Sequence, residues 1–376
     1  MKKFISKLFI FTIPLFIILL PPSWYLYQMK ENFFDLESFL KKPSHENYLV
    51  GYIYNEKNYK FLKWKSIDFH PKSEVWTIGS SRSNEFRKEM FDKSFYNVGY
   101  TIRKVNEFLP FLKSVDSSKY PDVLIVTLDT WMFNAKYEKM KDVIDQAKWS
   151  KSFQMYPTLP TLKSTWKDII INKLSINKKY TSNNFFRIGF NAQYKNSGFR
   201  ADGSFYYGEQ VSKLLKKDST CSDYQFKQTL KRIDAGGGRF SHGNKTNPKT
   251  FEELKRFLVF CKEHKIKVVL ILPPFPEITY NKMVTSGNFN YMKNIPKKCY
   301  NIAKEAKCEF YDYTKPKSFG SADCEFIDGF HGSEKVYLKM LIKILETKSV
   351  LNDKTNIDRL KKDLNTSISD YQVYKN

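Results

Sequence analysis

Five uninterrupted apolar runs constrain this sequence more than any other feature, because each ends abruptly at glycine, proline or polar residues. The runs are EVWTIG (74–79), FYNVGY (95–100), PDVLIVTLDTW (121–131), HKIKVVLILPPFP (264–276) and CEFYDYT (308–314). A strand covered on one face alternates between apolar and polar residues, and these runs do not alternate. The pattern therefore predicts strands that are buried on both faces, as in a parallel sheet.

Segments with helical periodicity lie between and after these runs. The segment at 250–265 places five apolar side chains on one face: Phe251, Leu254, Phe257, Leu258 and Cys261. Thr250 and Glu253 predict a capping box at its start, and further helices are predicted at 297–307 and 333–346. The alternation predicts an α/β fold, a doubly wound, flavodoxin-like parallel sheet of about five strands flanked by helices.

The N-terminus predicts a membrane anchor. Lysines at positions 2, 3 and 7 precede an apolar stretch at 8–20, and the aromatic residues Trp24, Tyr25 and Tyr27 follow it. Residues 8–27 are long enough to cross a hydrocarbon core of about 30 Å. A cleaved signal peptide is the alternative, but neither a small-x-small cleavage site nor a lipobox cysteine follows. The favoured prediction is an uncleaved transmembrane helix with its lysines inside and the remainder outside.

The domain organisation follows from these patterns. The predicted segments are an N-terminal membrane anchor (1–28), a juxtamembrane lead-in (29–70), an α/β domain (71–348) and a charged C-terminal tail (349–376). Within the α/β domain the strand–helix pattern fails between about 135 and 250, a region rich in Lys, Asn, Tyr and Phe. That region is predicted to be an insertion at the carboxyl side of the sheet.

The net charge limits the classes of expected partner, and the cysteine content limits the classes of expected metal and redox site. The formal net charge of +24 predicts anionic surroundings, such as nucleic acid, lipid head groups or an acidic polymer. Export across a membrane excludes nucleic acid as the expected partner. Five cysteines leave at least one unpaired, and without a C-x-x-C motif they predict no zinc or thioredoxin-type site. An oxidising compartment permits a disulfide among Cys299, Cys308 and Cys324, and the sequence leaves that open.

The carboxyl ends of parallel strands meet at one edge of a sheet, where ligands bind. The first run ends in a turn that contains Ser81, and the segment FIDGFHGSEK after the last run contains Asp328 and His331. A serine hydroxyl needs a base to remove its proton, and the base needs a group that fixes its tautomer. The three residues therefore predict a nucleophile, a general base and an orienting acid. Of the other histidines, His242 in a glycine-rich loop is the main competitor.

These motifs resemble the SGNH (GDSL-type) hydrolase superfamily, in chain order over residues 74–345. IGSSRS is similar to its first block with Ser81 as nucleophile, NVGY to its second with Gly99 as oxyanion glycine, and FIDGFHGS to its last. The N-terminal anchor, the Gly-Ser-Ser start and the late LPP resemble its membrane-anchored, DltD-like branch. The resemblance implies that the backbone N–H groups of Ser81 and Gly99 bind the oxyanion. It also implies action outside the membrane, beside a membrane-bound O-acyltransferase, in acylating surface polymers.

The chain departs from that pattern at two places. Ser80 stands where the family has Asp, and LDTWMFN (128–134) stands where the third block supplies an Asn. Arg82 or a backbone N–H is a candidate for the missing oxyanion donor, and Arg82 is equally a candidate for recognising a phosphate or carboxylate. The predicted substrate-binding residues are Arg82, Asp129, Trp131 and Asn134.

The leading functional prediction is a membrane-anchored, extracytoplasmic serine esterase or O-acyltransferase that needs neither metal nor cofactor. Its expected substrate is an acylated cell-surface glycan or anionic polymer. The alternative is a catalytically inactive protein of the same fold, which acts as a scaffold in the assembly of cell-envelope polysaccharide. A lipid-directed esterase is a third hypothesis.

Overall fold

The computed structural model describes residues 2–42, 47–140, 143–171 and 186–375. It divides into two compact units. The larger comprises Lys60–Lys151, Asp202–Phe205 and Gln210–Asn376, and the smaller comprises Met1–Tyr59, Ser152–Ala201 and Tyr206–Glu209. The predicted boundaries at 28, 70 and 348 stay predictions. Parts of the predicted lead-in and insertion (43–46, 141–142 and 172–185) lie outside the described residues.

Nine strands are described. They are β1 (Tyr48–Val50), β2 (Val75–Ile78), β3 (Phe95–Val98), β4 (Val123–Thr127), β5 (Phe186–Ile188), β6 (Ser197–Arg200), β7 (Phe205–Tyr207), β8 (Lys267–Leu272) and β9 (Glu309–Asp312). The five predicted runs are β2, β3, β4, β8 and β9. These five form one sheet in the order β3-β2-β4-β8-β9, and every neighbouring pair is parallel. The predicted parallel sheet is therefore confirmed.

Thirteen α-helices are described. They are α1 (Lys2–Gln28), α2 (Leu36–Leu40), α3 (Asn58–Phe69), α4 (Phe108–Lys113), α5 (Leu159–Ile170), α6 (Phe190–Tyr194), α7 (Gly208–Leu215), α8 (Lys227–Ala235), α9 (Pro248–Glu263), α10 (Glu277–Thr285), α11 (Ile295–Ala306), α12 (Glu334–Leu345) and α13 (Ile357–Asn365). Helices flank the parallel sheet, as the sequence predicts.

Both faces of the parallel sheet are covered. In β4, Leu124 and Val126 belong to one apolar core that also takes in the buried faces of α4, α9 and α11. Val123 and Ile125 belong to a second core, which includes α12 and Leu360 of α13. Because successive strand side chains point to opposite faces, a strand covered twice must be apolar throughout. This explains the apolar runs at β2, β4 and β8, whereas the edge strand β9 is only partly buried and contains Glu309 and Asp312.

The predicted helix at 250–265 is α9, and all five of its predicted apolar residues are buried. The predicted capping box is wrong. Asn247 is the N-cap, and its Oδ1 accepts a hydrogen bond from Lys249 N at 3.1 Å. Pro248 follows in the first turn, where its missing N–H costs nothing. Thr250 is therefore already inside the helix, with its side chain fully buried.

The smaller unit contains the apolar helix α1, whose residues Lys3–Gln28 are long and apolar enough to cross a membrane. Its prolines, Pro14, Pro21 and Pro22, are of a kind tolerated in membrane helices. A second sheet has the order β5-β1-β6-β7, with β1 parallel to β5 and antiparallel to β6. The sequence did not predict this sheet, because its strands are three or four residues long and too short to show a clear periodicity.

Candidate active site

Ser81 begins a 3₁₀ turn directly after β2. Ser80 caps this turn, since its Oγ accepts a hydrogen bond from Arg82 N at 3.2 Å. Gly79 is required at the end of the strand, because a Cβ there would clash with Thr127 Oγ1 and lie 3.0 Å from the Thr127 carbonyl oxygen. The sequence thus turns sharply at the carboxyl edge of the sheet and leaves the Ser81 side chain partly exposed.

His331 lies in a closed loop before α12. Ile327 N donates to His331 O at 2.9 Å and tightens the loop. Asp328 Oδ1 accepts hydrogen bonds from Phe330 N at 2.8 Å and His331 N at 2.7 Å. An aspartate whose carboxylate accepts hydrogen bonds from the backbone N–H groups two and three residues later stabilises a turn. Ser333 then caps α12.

The fold brings Ser81, His331 and Asp328 together. Ser81 Oγ lies 3.0 Å from His331 Nε2, although the two residues are 250 positions apart. On the other side of the ring, His331 Nδ1 lies 2.8 Å from Asp328 Oδ2 and 3.1 Å from Oδ1. A carboxylate only accepts, which assigns the proton to Nδ1 and leaves Nε2 to accept from the serine hydroxyl. This geometry can activate a serine.

Asp328 is held in its ionised form. Burial alone would raise the pKa of its carboxyl group, but the neighbouring His331 and the backbone N–H groups of His331 and Phe330 outweigh burial. The pKa of Asp328 therefore lies below its usual value. An ionised carboxylate at this position fixes the orientation of the imidazole and stabilises its protonated form.

Arg239, which was not among the predicted site residues, also faces Ser81. Arg239 Nη1 lies 3.5 Å from Ser81 Oγ, and its guanidinium stacks over Trp131 and Phe330 at 5.4 and 5.3 Å from the ring centroids. It belongs to the segment DAGGGRFSHGN (234–244) of the predicted insertion. Three glycines directly precede Arg239 in the sequence. They were the feature that could have indicated this residue, because a glycine-rich loop can approach a site closely.

Arg82 and Asp129 lie in the interior instead of facing a ligand. The Arg82 side chain is 1% exposed and that of Asp129 0%, and Arg82 Nη1 lies 3.1 Å from Asp129 Oδ1. Arg82 Nη2 donates to the carbonyl oxygens of Pro273 and Pro274, and its guanidinium lies 3.7 Å from the Phe275 ring centroid. Arg82 thus ties the turn after β2 to the ends of β4 and β8.

Trp131 and Asn134 are buried as well. The Trp131 ring is 2% exposed and packs against Phe330, with centroids 5.0 Å apart. Asn134 is 0% exposed, and its Nδ2 donates to Ser241 O at 2.7 Å. Trp131 therefore supports Arg239 and the histidine loop, whereas Asn134 secures the inserted loop. None of the described contacts brings Asn134 to Ser81.

Gly99 follows β3, next to the serine turn. Tyr100 N donates to Ser80 O at 3.1 Å, which joins the two turns. The Gly99 N–H itself donates to Asn97 Oδ1 at 2.8 Å. A Cβ at this position would clash with Ser83 Oγ and lie 2.7 Å from Asn97 Oδ1, so the close packing requires glycine. The predicted oxyanion donor is thus already hydrogen-bonded to a side chain.

The competing histidine, His242, lies elsewhere in the inserted loop. Its Nε2 lies 2.8 Å from Ile233 O, and its ring packs edge-on against Phe289 with centroids 5.3 Å apart. The five cysteines are free thiols, so none of the disulfides left open by the sequence is formed. In the described parts of the chain, no group of three or more His, Cys, Asp or Glu side chains could hold a metal ion.

Comparisons with known proteins leave the family open. No protein-family model matches this sequence, and no curated protein matches it. Function therefore has to be inferred from the geometry of the site.

Proposed function

We propose that this protein is a membrane-anchored serine esterase or O-acyltransferase of the SGNH type, which acts on acyl groups of a cell-surface glycan or anionic polymer. The observation that carries the proposal is a line of two hydrogen bonds through three side chains. Ser81 Oγ lies 3.0 Å from His331 Nε2, and His331 Nδ1 lies 2.8 Å from Asp328 Oδ2. Such a constellation is recognised by geometry and roles, independently of sequence position.

In the proposed reaction, Ser81 Oγ attacks the acyl carbonyl while His331 Nε2 takes the hydroxyl proton. Asp328 stabilises the imidazolium that forms. His331 then gives the proton to the leaving alkoxide, and an acyl–serine ester remains. Water or an acceptor hydroxyl attacks this ester in the second half, again with His331 as base. Water gives hydrolysis, and an acceptor hydroxyl gives transfer.

The oxyanion needs hydrogen-bond donors that are aimed at it before the reaction. The Ser81 N–H opens the 3₁₀ turn, where a backbone donor has no partner within the turn. The Arg239 guanidinium, 3.5 Å from Ser81 Oγ, is the second proposed donor. In this proposal, Arg239 supplies the oxyanion hydrogen bond that the third-block Asn supplies in the SGNH family. Arg239 therefore fills the role for which the sequence suggested Arg82.

The fold is inferred to be doubly wound and flavodoxin-like. Support comes from the strand order β3-β2-β4-β8-β9, which places the first strand of this sheet second and reproduces the order 2-1-3-4-5. In a sheet with the order 2-1-3-4-5, the ligand binds between strands 1 and 3, where the connections switch from one side of the sheet to the other. Ser81 follows β2, which is the first of these two strands, and this position agrees with the proposed role.

The proposed location is the extracytoplasmic face of the cell membrane. Lysines at positions 2, 3 and 7 precede the apolar helix α1, and lysines next to a membrane helix favour the cytoplasmic side. The remaining chain would then lie outside, where a membrane-bound O-acyltransferase is the proposed partner. The net charge of +24 supports an anionic polymer as the acceptor.

Labelling with a fluorophosphonate probe tests the nucleophile directly. We expect wild type to be labelled and Ser81→Ala to remain unlabelled, with Ser83→Ala as the control in the same turn. Equal labelling of wild type and Ser81→Ala would refute the assignment. Turnover of p-nitrophenyl acetate by His331→Ala and His242→Ala then tests the base, and only His331→Ala should abolish it.

The second candidate is a catalytically inactive scaffold of the same fold in polysaccharide assembly. One observation favours it: the Gly99 N–H, which the family resemblance assigns to the oxyanion, donates to Asn97 Oδ1 instead. A wild-type protein that neither reacts with the probe nor turns over the ester, yet binds an anionic glycan, would establish this alternative.

A further inference from the structure

Helix α5 (Leu159–Ile170) of the smaller unit has its polar and apolar faces reversed relative to a helix on a water-soluble protein. Its two buried side chains are polar, Thr165 and Asp168. Asp168 Oδ2 accepts a hydrogen bond from Tyr54 OH at 2.7 Å, which fixes this face. In contrast, Leu159 is 77% exposed and Ile170 75%. In water this arrangement is unfavourable, because the apolar stripe of a surface helix normally faces the core.

The apolar face of α5 is a continuous arc. At 100° per residue, five neighbouring positions fall within about 100° of one another. They are Leu159, Leu162, Trp166, Ile169 and Ile170, all of them at least partly exposed. A contiguous exposed apolar surface of this kind marks an interaction site.

This arc is continuous with the apolar surface of α1. Ile169 packs against a small buried cluster that includes Tyr25 near the end of α1. The apolar side chains in the first two thirds of α1 are mostly exposed, among them Phe11 at 84% and Ile17 at 62%. Whatever covers α1 therefore reaches the neighbouring arc of α5.

A hydrogen bond between the two helices gives a second, independent argument. Trp166 Nε1 donates to the carbonyl oxygen of Ile18. In a regular helix that carbonyl would accept from the residue four positions later, which is Pro22 and has no N–H. A carbonyl without a partner is especially costly in hydrocarbon. The indole of α5 thus satisfies a group of α1 that only a non-aqueous surrounding makes expensive to leave free.

Two lysines border the apolar arc on one side. Lys163 and Lys167 are exposed and lie one turn apart on α5. Lysines at such a border extend their charged ends toward lipid head groups while their stems stay on the apolar surface. Their charge is complementary to anionic lipid.

We propose that α5 lies in the membrane interface as a second membrane contact of this unit, with its apolar arc against the bilayer beside α1. The occupant of this face is lipid. The contact would give the smaller unit two attachments to the membrane and so restrict its rotation about the anchor helix. The proposal depends on α1 being in the bilayer and is independent of the chemistry at Ser81.

Nitroxide labels on the full-length protein in vesicles containing anionic lipid test the proposal. Labels are attached through Leu159→Cys, Ile170→Cys, Phe11→Cys and Val259→Cys, each in a Cys308→Ser, Cys324→Ser background. Phe11 calibrates the bilayer interior. Val259 on α9, which is 55% exposed, is the matched control in the other unit. Power-saturation measurements compare the collisions of each label with oxygen, which concentrates in lipid, and with a water-soluble nickel chelate.

At Leu159 and Ile170 we expect a ratio of oxygen to nickel accessibility several-fold above that at Val259 and approaching that at Phe11. A ratio equal to that at Val259 would place the helix in water and overturn the proposal. Protection from both reagents would also overturn it, since another protein chain would then cover the face. Circular dichroism of each labelled protein verifies folding, and none of these measurements requires enzyme activity.

Discussion

Arg82 and Asp129 form an ion pair in the interior of the larger unit, with Nη1 and Oδ1 3.1 Å apart and both side chains at most 1% exposed. Arg82 follows the candidate nucleophile, and Asp129 follows β4. Burial lowers the pKa of Arg82 and raises that of Asp129, while the attraction between the two groups opposes both shifts. Each charge is therefore tolerated only because the other is present.

Removing one partner should be strongly destabilising. We expect Asp129→Ala to lower the free energy of unfolding by about 3–5 kcal/mol, because it leaves the Arg82 charge buried and uncompensated. Urea denaturation followed by circular dichroism measures this. The control is the double variant Arg82→Met, Asp129→Leu, which should be more stable than Asp129→Ala. A double variant that is less stable than Asp129→Ala would contradict this account of the pair.

Arg239 should contribute to turnover without contributing to folding. We expect Arg239→Ala to lower kcat by about 10²–10³-fold, the scale for removing one oxyanion donor. Hydrolysis of p-nitrophenyl acetate measures the change. Arg232→Ala is the matched control, since Arg232 stacks on Phe240 of the same loop at 5.1 Å. Equal kcat values for the two variants would show that Arg239 has no role in the reaction.

Asp328 should act through the orientation of His331. We expect Asp328→Asn to lower kcat by about 10⁴-fold, since an amide at this position favours the wrong tautomer of the imidazole. The exposed Asp353→Asn is the control for the loss of one carboxylate and should leave kcat unchanged. If Asp328→Asn retained wild-type turnover, His331 would not need this carboxylate as its partner.

Glu31, just after α1, should make stability depend on pH. Its carboxylate accepts hydrogen bonds from Ile53 N and Phe190 N, at 2.9 and 2.8 Å. Burial nevertheless raises its pKa to about 7, whereas an unfolded glutamate titrates near about 4.3. The folded protein therefore keeps a proton that the unfolded chain has lost. The resulting stabilisation is complete below the unfolded pKa and is lost as the pH rises toward the folded pKa.

The melting temperature of wild type should accordingly fall relative to Glu31→Gln between about pH 5 and about pH 7. Glu56→Gln, an exposed change in the same unit, should follow the wild-type profile. Parallel profiles for wild type and Glu31→Gln would mean that the burial of this carboxyl group does not control its protonation.

Much of the larger unit could be predicted from local pattern alone. The runs at β2, β4 and β8 are apolar at every buried position except Thr77 and Thr127, so strands that are buried on both faces of a parallel sheet could be predicted from composition. The start of α9 was misplaced, since Thr250 and Asn247 are both acceptable caps, and in the structure Asn247 is the cap with Pro248 in the first turn. The second sheet was missed because β1, β5 and β7 have three residues each, too few for a period to show.

In the candidate active site, too, some features could be predicted from the sequence and others could not. Ser81, Asp328 and His331 could be named from the sequence because each lies at the end of a predictable element and carries reactive chemistry. Burial of Arg82, Trp131 and Asn134 could not be foreseen, since the same side chains are equally suited to binding a ligand. Arg239 lay in a segment without periodicity, where the preceding glycines indicated a loop that can approach a site closely but not which residue its side chain would face.

The sequence by itself determined which segments form the five parallel strands and which chemically reactive residues follow them, because hydrophobic patterning acts over a few neighbouring residues. Only the tertiary structure decided that Ser81 and His331 meet, that Arg82 turns inward and that Arg239 reaches the serine. Those outcomes depend on contacts between residues far apart in the chain, whose energies are settled by packing and desolvation, and no local pattern records them.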